Sequence, residues 1–298
     1  MIFLGNMRIA VFGKRFGEVF YDSCAGLFKI LKDNDVEVII FKPFYEFLLT
    51  TVKMKPEVSG FFDEGDEIKD VDMVFSIGGD GTFLETVTYV RDAGIPIVGI
   101  NSGRLGFLAD ISQEAIETIL HDIFEGNFQF RELDLLELHT DDHLFGTRNF
   151  ALNELAITKR DSSSMISIHT YINDEFLNSY WADGLIIATP TGSTAYSLSV
   201  GGPIMHPDSN SFIITPIAPH NLTVRPMVVP NDVEITLKVE GRDNQFLASL
   251  DSRSAVFQKS IHLKVKKAGF KVRVIDLVDH SFYTTLRNKL MWGVDKRN

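Results

Sequence analysis

The sequence predicts a two-domain chain. A Rossmann-like α/β domain with a mostly parallel sheet is followed by an all-β, sandwich-like domain, and a C-terminal helix returns to the first domain. Three observations predict this. Strand and helix signals alternate over the first 125 residues, the pattern of a parallel sheet covered by helices. From about Phe128 the period falls to two, with many short strands and few helices, which indicates an all-β layer. The tail Phe282–Trp292 returns to helical spacing. The expected division is 1–125, 126–275 and 276–298. A length of 298 residues fits it, because single cores stop growing at roughly 250–300 residues.

In chain order, strand-like runs rich in Val and Ile lie at Arg8–Phe12, Val36–Phe41, Met73–Ile77 and Ile97–Ile100. Helix candidates lie between or after them at Glu18–Lys32, Thr82–Asp92 and Gln113–Phe124. In the second domain Val233–Val239 and Ile261–Val265 alternate apolar and polar residues. Further strands are expected at Ala151–Thr158, Ile166–Ile172, Gly184–Ala188 and Phe212–Thr215, with a hairpin turn at Asn173-Asp174.

Composition narrows the class. Hydrophobic residues make up 45% of the chain, which excludes widespread disorder. No segment approaches the roughly 18 uninterrupted apolar residues of a membrane span. The net charge of −11 argues against broad binding to nucleic acid or anionic membranes, while leaving room for a local basic pocket. Cys24 is the single cysteine, so neither an internal disulfide nor a thiolate metal cage is expected. Met1–Leu4 is too short for a signal-peptide core, and residues 1–6 read as a leader before a natural start at Met7. A soluble, cytoplasmic protein is expected.

The sharpest local feature is Gly78-Gly79-Asp80-Gly81-Thr82, directly after the strand ending at Ile77 and before a helix. Three glycines in five residues let the backbone approach a ligand closely. A helix start offers unpaired N–H groups and a positive dipole end, suited to phosphate. A carboxylate in such a turn needs a purpose: to accept a proton from an attacking hydroxyl, or to help bind a metal. The plainer alternative is Asp80 as a helix N-cap. No P-loop, no G-x-G-x-x-G after the first strand and no protein-kinase motif set occurs.

A second feature runs from Asp183 to Ser197, where a buried strand enters Thr189-Pro190-Thr191-Gly192-Ser193-Thr194. Hydroxyls and N–H groups without bulk can wrap a polar ligand. On composition alone Tyr196 fits a core better than a ligand stack. Asn101–Phe107 should lie beside the glycine turn, where Arg104 can pair with a phosphate or stay solvated. Asn153-Glu154 interrupts an apolar strand and needs partners, either a ligand's hydroxyls or a structural network.

Together these segments resemble the NAD kinase family, whose members make NADP with ATP or polyphosphate. The resemblance covers roughly residues 7 to 293. Similar G-G-D-G turns occur in diacylglycerol kinases, sphingosine kinases and phosphofructokinases, and the stretch from Asp183 to Tyr196 separates this family from them. The resemblance implies an α/β domain followed by a β-rich one, a divalent metal, usually Mg²⁺, and a homodimer or homotetramer. It implies that Asp80 accepts the proton of the adenosine-ribose 2′-hydroxyl of NAD, with Gly81 beside it. Gly78, Gly79, Gly81, Thr82 and Arg104 form the expected phosphate-binding set. Asn153 and Glu154 are expected to hold the adenosine portion, and Asp183 to lie near the nicotinamide, acting across a subunit contact as in relatives. Thr194, Ala195, Tyr196, Ser197, Leu198 and Ser199 would enclose the dinucleotide. Trp181 replaces a basic residue of several relatives, so stacking would replace a charge contact. Ala218 would line the site, and Arg253 is a further expected contact. The expected reaction is transfer of the γ-phosphoryl group of ATP to NAD, with NAD and ATP as partners and neither nucleic acid nor membrane. A lipid or sugar kinase, and an inactive dinucleotide sensor, are the alternatives.

Overall fold

A computed structural model describes residues 7–103, 106–160, 164–276 and 281–291. The elements in chain order are β1 (Arg8–Gly13), α1 (Tyr21–Asp33), β2 (Glu37–Phe41), α2 (Lys42–Phe47), β3 (Gly60–Phe62), β4 (Met73–Gly78), α3 (Asp80–Val90), β5 (Ile97–Asn101) and α4 (Ile116–Glu125). There follow β6 (Gln129–His139), β7 (Phe150–Ala151), β8 (Glu154–Lys159), β9 (Ile166–Ile172), β10 (Glu175–Ala182), β11 (Gly184–Ala188), α5 (Tyr196–Ser199) and β12 (Ser211–Ile217). Last come β13 (Met227–Pro230), β14 (Ile235–Glu240), β15 (Gln245–Leu250), β16 (Arg253–Gln258), β17 (Leu263–Asp276) and α6 (Phe282–Leu290). The described residues form two compact units: one runs to Glu132 and resumes at Val272, the other is Leu133–Lys271. The chain thus changes unit inside β6 and inside β17. A purely sequential reading, which places the boundaries after residues 125 and 275, cuts at the ends of elements instead.

In the first unit the strand order is β17-β5-β4-β1-β2-β3, and these neighbours pair in parallel. All of β4 and β5 is buried, as expected of strands covered on both faces. Helix α1 buries Cys24, Leu27, Phe28 and Leu31 at three- and four-residue spacing, and burial pushes the Cys24 thiol up to about 12. Helix α4 buries Ile116, Ile119, Leu120 and Ile123 and stops at Gly126, whose φ of 75° is left-handed. Two elements were not legible. The six-residue α2, with Pro43 in its first turn, is too short for a periodic signal, and the three-residue β3 is shorter still.

The second unit is an antiparallel sandwich. One sheet runs β13-β12-β11-β8-β15-β16, and the other places β10, β9, β14 and β17 side by side. Their inner faces meet in one core that includes Leu155, Ile157, Leu185, Ile187, Phe212, Ile214, Ile168, Leu237 and Val265. Asn173 and Asp174 form the two-residue turn between β9 and β10, with φ of 49° and 66°. Positive φ at both positions matches the twist of the flanking strands. Strand β11 is buried along its whole length. Its Ile186 and Ala188 face a second cluster with Ala156 and Ile213, against which Val200 and Met205 pack. The segment after β11 therefore lies over the outer face of the six-stranded sheet. Among the described residues no helix is long and apolar enough to cross a membrane.

Candidate active site

Each unit carries one constellation. In the first, β4 ends at Gly78, where a Cβ would lie 2.2 Å from Thr82 Oγ1, so only glycine lets the chain turn into α3 this tightly. Gly79 is the N-cap of α3, and no side chain caps it. Thr82 N–H donates to Gly79 O at 2.9 Å, and the first two N–H groups of the helix, of Asp80 and Gly81, are left for a ligand or water. Asp80 is the first helical residue rather than the cap, so its side chain is available for another purpose.

Asp80 is held by the loop that follows β5. The parallel register sets Gly78 opposite Asn101, and Ser102 N–H donates to Gly78 O at 3.2 Å. Asn101 fixes the loop by donating to Ala109 O at 3.2 Å and accepting from Gly103 N–H at 2.6 Å. The loop then returns three backbone N–H groups to the Asp80 carboxylate: Phe107 to Oδ2 at 2.9 Å, and Leu108 and Ala109 to Oδ1 at 2.9 and 3.0 Å. Lys289 Nζ stands 3.7 Å from Oδ2, and the Asp80 side chain keeps 32% exposure. The carboxylate is fixed in direction yet reachable. Arg104 lies outside the described residues.

In the second unit Asn153 and Glu154 are both buried. Asn153 Oδ1 and Glu154 Oε2 have no hydrogen-bond partner there. Unpaired buried oxygens are costly, and two adjacent ones mark a place where a ligand supplies donors. Their backbone is pinned from below by Asp251, whose carboxylate accepts from Leu152, Asn153 and Glu154 N–H at 3.0, 2.9 and 3.1 Å. Burial raises the pKa of Asp251, opposed by these three N–H groups and by Arg253. Burial, then the charge of Asp251, pushes Glu154 up to about 8, while the Tyr196 N–H works the other way.

The Thr189–Ser199 segment lies against this pair. Thr189 N–H donates to Asn153 O at 2.8 Å, and its hydroxyl to Leu152 O at 2.5 Å. A Cβ at Gly192 would lie 2.1 Å from Asn153 O, so Gly192 is the residue that permits this approach. Thr194 closes the turn by donating to Thr191 O at 3.2 Å, and Ala195 leads into α5. Tyr196 is 41% exposed, which corrects the composition-based expectation of a core ring: it stands at the surface of the short α5, and its N–H reaches the Glu154 carboxyl. Ser197 is fully buried and bonds Thr215 Oγ1 at 3.0 Å, so its hydroxyl braces the segment instead of facing a ligand. Leu198 is half-buried and Ser199 exposed.

Of the remaining expected contacts, Arg253 lies beside Asp251, whereas Asp183 and Trp181 stand at the far end of β11, which pairs Gly184 with Thr158 and Ala188 with Glu154. Asp183 pairs with Lys159 at 2.5 Å. Trp181 is 50% exposed and its ring lies 4.3 Å from that of His220. Ala218, in the same segment as His220, holds a φ of 45°. Arg253 spends its guanidinium on the carbonyls of Arg148 and Phe150 and on the Phe150 ring at 5.3 Å, a bracing role. The sequence reading missed Asp251 and Lys289, and took Gly106 only as part of the Asn101–Phe107 segment. Asp251 sits in a left-handed turn between two short strands, and nothing in its neighbours distinguishes it from an ordinary turn aspartate.

Residues 20–128 match the family model described as ATP-NAD kinase N-terminal domain, and residues 152–277 match ATP-NAD kinase C-terminal domain. The chain belongs to the NAD kinase family. An NAD kinase of Flavobacterium psychrophilum is 48% identical over 294 residues, spanning 98% of this chain and 100% of that one. An NAD kinase of Cytophaga hutchinsonii is 47% identical over 292 residues, with the same coverage. Among solved structures, an NAD kinase from Archaeoglobus fulgidus in complex with ATP aligns with a TM-score of 0.72 and 26% identity, over 96% of this chain and 98% of that one. Yeast NADH kinase complexed with NADH shares the fold, with a TM-score of 0.83 at 21% identity over 97% and 89% of the two chains. The sequence therefore placed the chain in the right family, and the α/β plus β-sandwich organisation of NAD kinases is the fold described above.

Proposed function

We propose that this chain transfers the γ-phosphoryl group of ATP to the 2′-hydroxyl of the adenosine ribose of NAD, with Asp80 as proton acceptor. The observation that carries the reading is the fixed carboxylate of Asp80 at an uncapped helix start. In the step, the ribose 2′-oxygen forms a bond to the γ-phosphorus as its proton passes to Asp80. The bond from that phosphorus to the β,γ-bridging oxygen breaks, and ADP and NADP leave. An alcohol is a poor nucleophile without proton removal, and a positioned base contributes about 10²–10⁴ in rate. Most of the remaining catalysis is alignment and charge stabilisation, to which the N–H groups of Asp80 and Gly81 at the helix start are suited, while the Thr82 N–H closes the turn on Gly79 O.

In the second unit Asn153 and Glu154 receive the donors of the adenosine portion, since their unpaired oxygens otherwise stay unsatisfied. Tyr196 offers an exposed ring for stacking, and Trp181 does the same beside Asp183. Arg104 and Ala218 keep the binding roles that the resemblance gives them, while Ser197 and Arg253 support those roles from behind. Among the described residues no group of three or more His, Cys, Asp or Glu could hold a metal ion. Mg²⁺ would enter with the triphosphate, with the Asp80 carboxylate beside it and kept for the proton. Bound so, it would neutralise phosphate charge. The assembly implied by the resemblance is a homodimer or homotetramer in the cytoplasm.

The test is Asp80→Asn, assayed for NADP formation from NAD, ATP and Mg²⁺. Asn keeps the size and can still accept the Leu108 and Ala109 N–H groups on its one oxygen, and the NAD contacts of the second unit are untouched, so NAD binding persists while turnover falls at least about a hundredfold, the low end of a base's contribution. Near-normal turnover removes Asp80 from the role. Inorganic polyphosphate in place of ATP, in a parallel assay, decides the donor range.

A further inference from the structure

We propose that Lys289, on the C-terminal helix, is a donor-phosphate contact of the transfer reaction: its ammonium admits a polyanion beside Asp80 and binds oxygens of the transferring phosphoryl group. The inference rests on the reading of Asp80 as proton acceptor.

The placement of Lys289 is specific. Its Nζ lies 3.7 Å from Asp80 Oδ2 and 4.5 Å from the centroid of the Phe107 ring. Phe107 is also the residue whose N–H reaches that same carboxylate oxygen. Helix α6 is set by Ser281, whose Oγ accepts from Tyr283 N–H at 3.2 Å, and by the buried Leu286. Lys289 stands in its last turn, where the helix dipole favours a cation.

Two features separate this lysine from a structural ion pair. Asp80 does not need it for orientation, because three backbone N–H groups already hold both carboxylate oxygens. At 3.7 Å the pair is coulombic, beyond hydrogen-bond reach, and the contact with Phe107 goes to a ring face. The three N–H donors of the ammonium are therefore available to another acceptor. Among the described residues Lys14 is another cation at this end of the sheet: its backbone N–H donates to Ile77 O at 3.3 Å, and its ammonium pairs with Glu85.

The reaction supplies a reason for a cation in this place. The donor brings several negative charges to a carboxylate, on a chain whose net charge is already −11. Like charges at contact distance repel strongly in a partly water-excluded site. An ammonium that neutralises the carboxylate before the donor arrives, and then donates to the phosphoryl oxygens, removes that barrier where charge develops.

The experiment uses the full-length enzyme with Lys289→Gln and Lys289→Arg, and reads kcat and KM for ATP with Mg²⁺ and for NAD. The Gln variant should lose at least about thirtyfold in kcat/KM for ATP, with the KM for NAD changed less than about twofold, and the Arg variant should recover to within about fivefold. A Gln variant within about threefold of the parent for ATP, or a loss confined to NAD that Arg does not rescue, overturns the proposal. A second measurement avoids substitution altogether. In the unmodified enzyme, ATP with Mg²⁺ should protect Lys289 from amine acylation read by mass spectrometry, and NAD alone should not. Absence of protection by ATP also overturns the proposal. If Asp80→Asn is inactive and Lys289→Gln is normal, this inference alone fails. If Asp80→Asn turns over normally, the assignment of Asp80 fails.

Discussion

Gly106 and Asp80 occupy the same space: a Cβ added at Gly106 would lie 1.8 Å from Asp80 Oδ1 and 2.7 Å from its Cγ. The carboxylate has moved into the volume of a missing side chain. From there it collects the N–H groups of the next three residues, Phe107, Leu108 and Ala109. Gly106→Ala must therefore expel the carboxylate from its cradle or break the loop. We expect kcat to fall at least about tenfold with a smaller change in the KM for NAD, since about 1 Å of misplacement at a reacting group is costly. Steady-state kinetics checks this, and an unchanged kcat would mean that Asp80 is not used in the orientation described.

Asp251 plays a comparable part in the second unit, where it is half-buried and accepts three N–H groups from Leu152, Asn153 and Glu154. Asp251→Asn keeps the size but turns an amide donor toward backbone donors. Leaving one or two buried groups unsatisfied costs about 2–4 kcal/mol, so chemical denaturation should show a loss of that order. The KM for NAD should rise in the same variant, because the backbone of Asn153 and Glu154 loses its support.

Glu154 predicts a dependence of stability on pH. Its pKa is pushed from 4.5 up to about 8 by burial and by Asp251. The folded chain then holds a proton that the unfolded chain has released. The resulting stabilisation is complete below pH 4.5 and is lost as pH rises through about 8. Thermal unfolding followed from pH 5 upward should show this decline, and Glu154→Gln should flatten it. An equally steep decline in the Gln variant would assign the slope to other groups.

Tyr196→Ala should raise the KM for NAD without lowering the thermal midpoint measurably, because an exposed ring contributes little to a core. Loss of stability with an unchanged KM would return Tyr196 to a packing role.

Much of this was legible in the sequence for identifiable reasons. β1, β2, β4 and β5 are recognisable because Val and Ile runs end at turn residues, and α1 and α4 because one stripe of each is apolar. The hairpin at Asn173-Asp174 follows from residues that tolerate positive φ. α3 begins two residues earlier than its apolar spacing implies, since the glycine turn passes straight into the helix. The β15–β16 hairpin and the full length of β17 were missed, although only β16 is an edge strand: β15 lies between β8 and β16, and β17 between β14 and β5.

The site divides in the same way. The sequence by itself determined the family, the glycine turn, the Asn153-Glu154 pair and the Asp183–Ser199 segment, because each is a local run whose residue types restrict what it can do. Only the tertiary structure decided what each side chain does there. It turned the Ser197 hydroxyl inward to Thr215, spent Arg253 on two carbonyls, and brought Asp251 under Asn153 across 98 residues of chain. It also set Lys289 beside Asp80. The physical reason is that hydrogen bonds and ion pairs are fixed by distance in space. Sheet register and helix docking set those distances, and neither leaves a pattern in neighbouring residues.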